Sequence, residues 1–223
     1  MNSKVLTFLL VGVALSAQAV TKADLDKRLR LFAAKFEEMQ AKPELRVPAD
    51  KLSKACGIVM LHRFKGGLVF GYEGGGGVAM VKDPRSAKWS PPAFMKSNDG
   101  SFGVQIGGQA SFTVILLMNT NSMRMLTESS FKFGGQAAGT AGNASGTEGS
   151  TTAAEEELTL VYSDTSGLYG GAVVKGGTLA PDFDASVAYY GEYLTAKEIL
   201  FDKKVKGTEA ATYLADKITQ FSK

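Results

Sequence analysis

The constraint that most narrows what this chain can become is where its glycines sit. Of 26 glycines in 223 residues, 23 fall between Gly57 and Gly177. Glycine in a helix interior costs about 1 kcal/mol relative to alanine, so this middle zone is poorly suited to helix. It reads instead as short β-rich runs, each bounded by Gly, Pro, Asn or Asp. These are Cys56–His62, Gly67–Tyr72, Gly77–Lys82, Gly103–Gln109, Phe112–Met118, Leu158–Ser163 and Gly167–Lys175. Lys65-Gly66-Gly67 and Gly74-Gly75-Gly76 are expected as turns, where glycine supplies positive φ at no steric cost. Gly71, Gly107 and Gly108, inside the runs, point to strong coiling of the sheet. Between Gly134 and Glu157 no side chain is bulkier than Gln or Glu. That is linker-like composition, yet a structureless loop of this length is unusual inside a compact domain.

The two ends carry a different period. Leu25, Leu29, Phe32, Phe36 and Met39 recur at three- and four-residue steps, which predicts an amphipathic helix over residues 21–40. Thr21 and Asp24 form a capping start, and Pro43 closes it. A second short helix is expected over 49–55, and another over Thr120–Ser130 with Met123, Leu126 and Thr127 inward. Helices follow at Asp182–Tyr190, Thr195–Phe201 and Thr208–Phe221. The fold class is therefore α+β: a strongly curved, glycine-rich, barrel-like antiparallel sheet with helices at the N- and C-terminal ends. At 44% apolar the chain suits one ordinary domain.

Residues 1–19 read as an export signal. Lys4 precedes an apolar run, Val5–Leu15, and Ala17-Gln18-Ala19 offers a small-x-small cleavage site. The run is too short for a membrane span, which needs roughly 20 residues. The expected mature chain starts near Val20 and is exported, periplasmic or secreted. Residues 20–48 would then be the N-terminal helix and its connector, and 49–223 the main domain.

Little in the sequence supports catalysis. No G-x-S-x-G elbow is present, and His62 is the single histidine. It ends an apolar run, where a structural histidine is the simpler account than a catalytic base. Gly74–Gly77 lacks the Gly-Lys-Ser/Thr of a phosphate loop. Asp182 and Asp184 read as a helix start, favoured by the helix dipole. One Cys, Cys56, and one His leave no Cys/His zinc site. A net charge of +3 is too mild to argue for nucleic acid. No enzyme, cofactor or metal is expected.

One loop is more suggestive. Lys82, Arg85 and Lys88 accompany Trp89 and Phe94 in a segment stiffened by Pro84, Pro91 and Pro92. Cations beside an interfacial ring suit the boundary of an anionic membrane. A second basic surface is Lys22, Lys27, Arg28, Arg30 and Lys35 of the N-terminal helix. Its carboxylates offset much of that charge, so packing on the chain's own core is the plainer reading.

The order of several segments resembles the SYLF, or Ysc84-type, lipid-binding domain. They are Lys54–Met60, Gly71–Gly77, Trp89–Phe94, Gly103–Gln109, Phe131–Gly134, Tyr162–Gly171, Tyr189–Gly191 and Thr195–Leu200. Cys56 departs from the lysine expected there, and Gly134–Glu157 is richer in Gly, Ala and Thr than usual. The resemblance implies non-enzymatic binding of phospholipids, with anionic or phosphoinositide-like headgroups, by an exported member of the family. It also implies that Gly134–Glu157 is partly ordered and that the N-terminal helix can meet a membrane. Eukaryotic relatives pair the domain with an SH3 module, and some associate with actin. This chain shows no SH3-like tail, and an exported bacterial protein would meet no actin. A different reading is a structural or adhesin-like envelope protein that binds a partner through a sheet edge.

Overall fold

Ile58, Met60 and His62 alternate with Val59, Leu61 and Arg63 along β1 (Gly57–Gly67), the strand around which the sheet is built. The computed structural model describes residues 19–67, 72–97, 107–133, 159–167 and 177–223. Six further strands accompany β1 among them: β2 (Tyr72–Val81), β3 (Ala93–Ser97), β4 (Gly107–Leu117), β5 (Phe131–Phe133), β6 (Thr159–Gly167) and β7 (Gly177–Pro181). They form one strongly curled antiparallel half-barrel in the order β5-β7-β3-β2-β1-β4-β6. The helices are α1 (Lys22–Ala41), α2 (Ala49–Lys54), α3 (Thr120–Arg124), α4 (Phe183–Tyr190), α5 (Ala196–Leu200) and α6 (Glu209–Gln220). The α+β class with helices at both ends is as expected.

The strand alternation sorts the core into two layers. One face of the sheet (Ile58, Met60, Val78, Met80, Phe112, Val114) packs against α1, α2, α4 and α6. The other (Val59, Leu61, Ala79, Ile115, Leu117) packs against Leu126, Phe131, Leu179, Ile199 and Leu200. In α1 the sequence period becomes burial directly: Leu25, Leu29, Phe32, Phe36 and Met39 are all 0–1% exposed. Thr21 and Asp24 form a reciprocal capping box. At about 1.5–3 kcal/mol per large side chain, these five residues contribute on the order of 10 kcal/mol of gross burial. Phe36 meets Phe221 edge-on at 5.7 Å, closing α1 onto the C-terminal segment.

The glycine run is where the expectation fails. Gly74–Gly77 are not a turn: they lie inside β2, paired in order with Phe64, Arg63, His62 and Leu61. A Cβ on Gly75 would stand 2.8 Å from the His62 carbonyl oxygen, and one on Gly77 2.7 Å from that of Met60. The curl presses β2 so close to β1 that side chains there do not fit. Lys65, Gly66 and Gly67 are likewise strand rather than turn.

Other boundaries also move. The expected strands Gly103–Gln109 and Phe112–Met118 join in β4, continuous through Ala110 and Ser111, while 103–106 lie outside the described residues. So do residues 1–18, where an export signal is expected, most of Gly67–Tyr72 and Gly167–Lys175, and all of Gly134–Glu157. The helix over Thr120–Ser130 is shorter, α3 followed by a 3₁₀ turn at Met125–Thr127, with Leu126 buried as expected but Thr127 exposed, its hydroxyl donating to the Arg124 carbonyl at 2.8 Å. β3, β5 and β7 were not anticipated. Among the described residues no helix is long and apolar enough to cross a membrane.

Candidate functional site

The loop between β2 and β3 is a small built structure. Asp83 organises it: one carboxylate oxygen accepts the backbone N–H of Arg85 at 2.8 Å and of Ser86 at 3.0 Å. The other oxygen takes the ammonium of Lys203, from the segment joining α5 to α6. These bonds hold the Asp83 carboxyl well below the usual carboxylate range. The Asp83 N–H donates to the Lys88 carbonyl at 2.9 Å, and Ala87 turns the chain at a left-handed φ of 56°. Arg85 and Lys88 are left exposed, with no ion-pair partner among the described residues.

The other three loop residues are placed differently from expectation. The Lys82 ammonium donates to the carbonyls of Ser53 at 2.8 Å and Leu52 at 3.3 Å, and sits 4.9 Å from the centroid of the Trp89 ring. It caps the negative end of α2, and burial lowers its pKa. Trp89 is half-buried against the helix-side core. Phe94, 1% exposed, is the second residue of β3 and meets the Tyr189 ring at 4.9 Å. Lys82, Trp89 and Phe94 therefore hold the loop in place rather than face outward. Phe94 lies in a strand whose side chains are nearly all buried, and its partner Tyr189 and the Lys82 partners in α2 come from distant segments.

The α1 cations are largely engaged within the protein. Arg30 pairs with Glu209 at 2.9 Å, Lys35 with Glu38 at 3.5 Å and Lys27 with Asp24 at 3.8 Å, while Lys22 stands 5.8 Å from the Tyr189 ring centroid. Arg28 reaches the sheet, its guanidinium lying over Gly76. With its apolar face consumed by the core, α1 in this conformation presents no hydrophobic stripe to a membrane. His62 is half-buried in the middle of β1, not at its end, and makes no hydrogen bond to a serine or carboxylate among the described residues. Asp182 is the N-cap of α4, accepting from the Ala185 N–H at 3.1 Å, as its spacing predicted.

Two exposed lysines that sequence spacing did not connect to the loop lie beside its anchors. Lys54 ends α2 next to Ser53, the residue Lys82 holds, and Lys206 follows Lys203 in the segment tied to Asp83. No local signal could have revealed this, because the links span 29 and 120 residues.

A family model described as Ysc84, Las17-binding protein actin regulator, matches residues 98–221, more than half of the chain. The chain belongs to the Ysc84 family. LAS seventeen-binding protein 3 of Saccharomyces cerevisiae is 26% identical over 158 residues, 69% of this chain and 34% of that protein. SH3 domain-containing YSC84-like protein 1 is 27% identical over 171 residues in Xenopus laevis (75% and 51% of the two chains). The Homo sapiens protein of the same name is 24% identical over 188 residues (82% and 55%). The chain thus spans about a third to a half of these curated Ysc84 relatives. No solved structure matches. The Ysc84 family match begins downstream of both α1 and the Asp83 loop.

Proposed function

We propose that this chain is an exported, peripheral, non-catalytic binder of anionic phospholipid surfaces. The observation that carries the reading is the pair Arg85 and Lys88, exposed on a loop fixed by Asp83 and Lys203. A pre-organised loop loses little entropy when its cations meet phosphates, and each contributes about 1 kcal/mol near an anionic surface. Membership of a family whose named relatives are binding and regulatory proteins supports an adaptor rather than an enzyme. Residues 1–19 support export.

The test is co-sedimentation of the full chain with phosphatidylglycerol and phosphatidylcholine vesicles. Binding to the first only, weakening with salt over the about 10 Å screening length at 0.1 M, is the expected result. Failure of the folded chain to bind anionic vesicles at low salt removes the proposal. The edge-binding reading would then gain ground. Its supporting observation is β6, nine residues paired with β4 on one side and with no second strand among the described residues.

A further inference from the structure

A groove of about 500 Å³ opens between the outer side of α1 and the sheet, lined by Asp24, Lys27, Arg28, Leu31, Phe32, His62 and Gly76. Its size falls within the about 300–1,000 Å³ of small-molecule sites. Gly76 forms the floor: a Cβ there would stand 3.0 Å from Arg28 Nη1 and 3.2 Å from Cζ. The glycine thus lets the guanidinium rest on the strand. One row of the sheet register runs beneath, Lys96–Gly76–His62–Phe112, so Lys96 and His62 share the face over which Arg28 lies. Neither Arg28 nor Lys96 has an ion-pair partner among the described residues.

We propose that this groove binds a phosphoryl anion, with Arg28 and His62 as donors and Lys96 supplying further charge. Guanidinium geometry suits two phosphoryl oxygens at once. The imidazole adds an N–H donor from the strand beside Gly76. Burial, reinforced by the charge of Lys35, keeps His62 below its ordinary pKa, so the empty groove is spared a further positive charge. Asp24, which lines the groove, offsets Lys27, and Glu38 offsets Lys35, so the net positive charge rests on Arg28 and Lys96. Leu31, in the groove lining, is 43% exposed, and Phe64, two residues beyond His62 on the same face of β1, 53%. That combination suits a phosphoryl group carried on a lipid as well as a free one. The site is separate from the Asp83 loop, since Gly76 lies six residues up β2 from Lys82, about 20 Å at about 3.3 Å per residue.

The experiment titrates the folded full chain with inorganic phosphate, followed by amide and imidazole NMR shifts. Separately, it measures binding to phosphatidylcholine vesicles with and without phosphatidic acid. Saturable shifts centred on Gly76 and His62 are expected, weakened at least about tenfold in Arg28→Gln and in His62→Ala and unchanged in Arg85→Ala/Lys88→Ala. Competition by phosphatidic acid vesicles would assign the anion to a lipid headgroup; shifts without competition would assign it to a soluble phosphate, the site standing in both cases. Vesicle binding lost in the loop variant while the phosphate shifts persist supports both sites. Vesicle binding that survives the loop variant but fails in Arg28→Gln supports the groove and removes the loop. Absence of saturable binding to either probe, or parent-like binding by both Arg28→Gln and His62→Ala, overturns the proposal.

Discussion

The hydroxyl of Tyr189 donates a hydrogen bond to the carboxylate of Asp26 at 2.9 Å across 163 residues of sequence. The Thr208 hydroxyl, at the N-cap of α6, lies within hydrogen-bonding distance of the same oxygen, at 3.1 Å, and of the Tyr189 hydroxyl; with the Tyr189 proton on Asp26, its single proton goes to one of the two. One carboxylate thereby ties α1, α4 and α6 together beneath the helical layer. Burial raises the Tyr189 pKa, so its proton remains in place at neutral pH. Tyr189→Phe removes one donor to a charged acceptor, and such bonds contribute about 1.5–3 kcal/mol. A loss of that order in urea denaturation is expected, with Asp26→Ala costing more because both hydroxyls lose the carboxylate.

The tetraglycine gives a test of position against composition. Alanine at Gly75 or Gly77 drives Cβ into backbone carbonyls, and overpacking of this kind typically costs about 1–3 kcal/mol. Alanine at Gly76 meets only the movable end of Arg28. Chemical denaturation should therefore rank Gly76→Ala as mild and its two neighbours as severe. Equal losses at all three would show that strand entropy, not close approach, is what glycine serves there.

The loop cations should separate into two kinds. Arg85→Ala/Lys88→Ala is expected to leave stability within about 0.5 kcal/mol, as surface changes usually do. It should weaken anionic vesicle binding by roughly 30-fold at low salt, from about 1 kcal/mol per cation. Lys82→Ala should show the reverse: about 1 kcal/mol of lost stability, from the uncapped α2 carbonyls, and little direct loss of binding. Calorimetry and vesicle sedimentation on the same variants decide between them.

Glu198 carries a prediction in pH. It accepts from Lys204 at 2.6 Å and from the Thr195 hydroxyl and N–H at 2.8 and 2.9 Å. These bonds, the one to Lys204 first, hold its pKa at about 2 against an ordinary 4.5. Because the folded value is the lower one, its contribution is fully present above pH 4.5 and is lost as pH falls towards about 2. Urea midpoints across that window should fall less steeply in Glu198→Gln than in the parent. Identical slopes would show that the pair is idle in solution.

Much of the helical layer was legible in the residues. The period of Leu25, Leu29, Phe32, Phe36 and Met39 became the buried face of α1, and Thr21, Asp182, Thr195 and Thr208 cap the helices they precede. Caps and amphipathic periods are local, so a window of a dozen residues contains their physics. The candidate sites were legible only as lists of cations. Arg85 and Lys88 emerged as the exposed pair because Lys82 is spent on α2 and Phe94 on Tyr189, neither of which is near in sequence.

What the sequence determined by itself is the α+β partition: a glycine-dense, coiled sheet flanked by apolar-faced helices, with too few histidines and cysteines for a Cys/His metal centre. What only the tertiary structure decided is which side of each element faces what. Gly74–Gly77 have turn-like propensity in isolation, but pairing with β1 holds them in strand, and contact with the backbone of β1 excludes side chains at Gly75 and Gly77. Arg28 is one of five α1 cations by sequence; crossing over Gly76 to the His62 row sets it apart. Both outcomes depend on residues tens of positions apart meeting within a few ångströms, a relationship that local pattern does not encode.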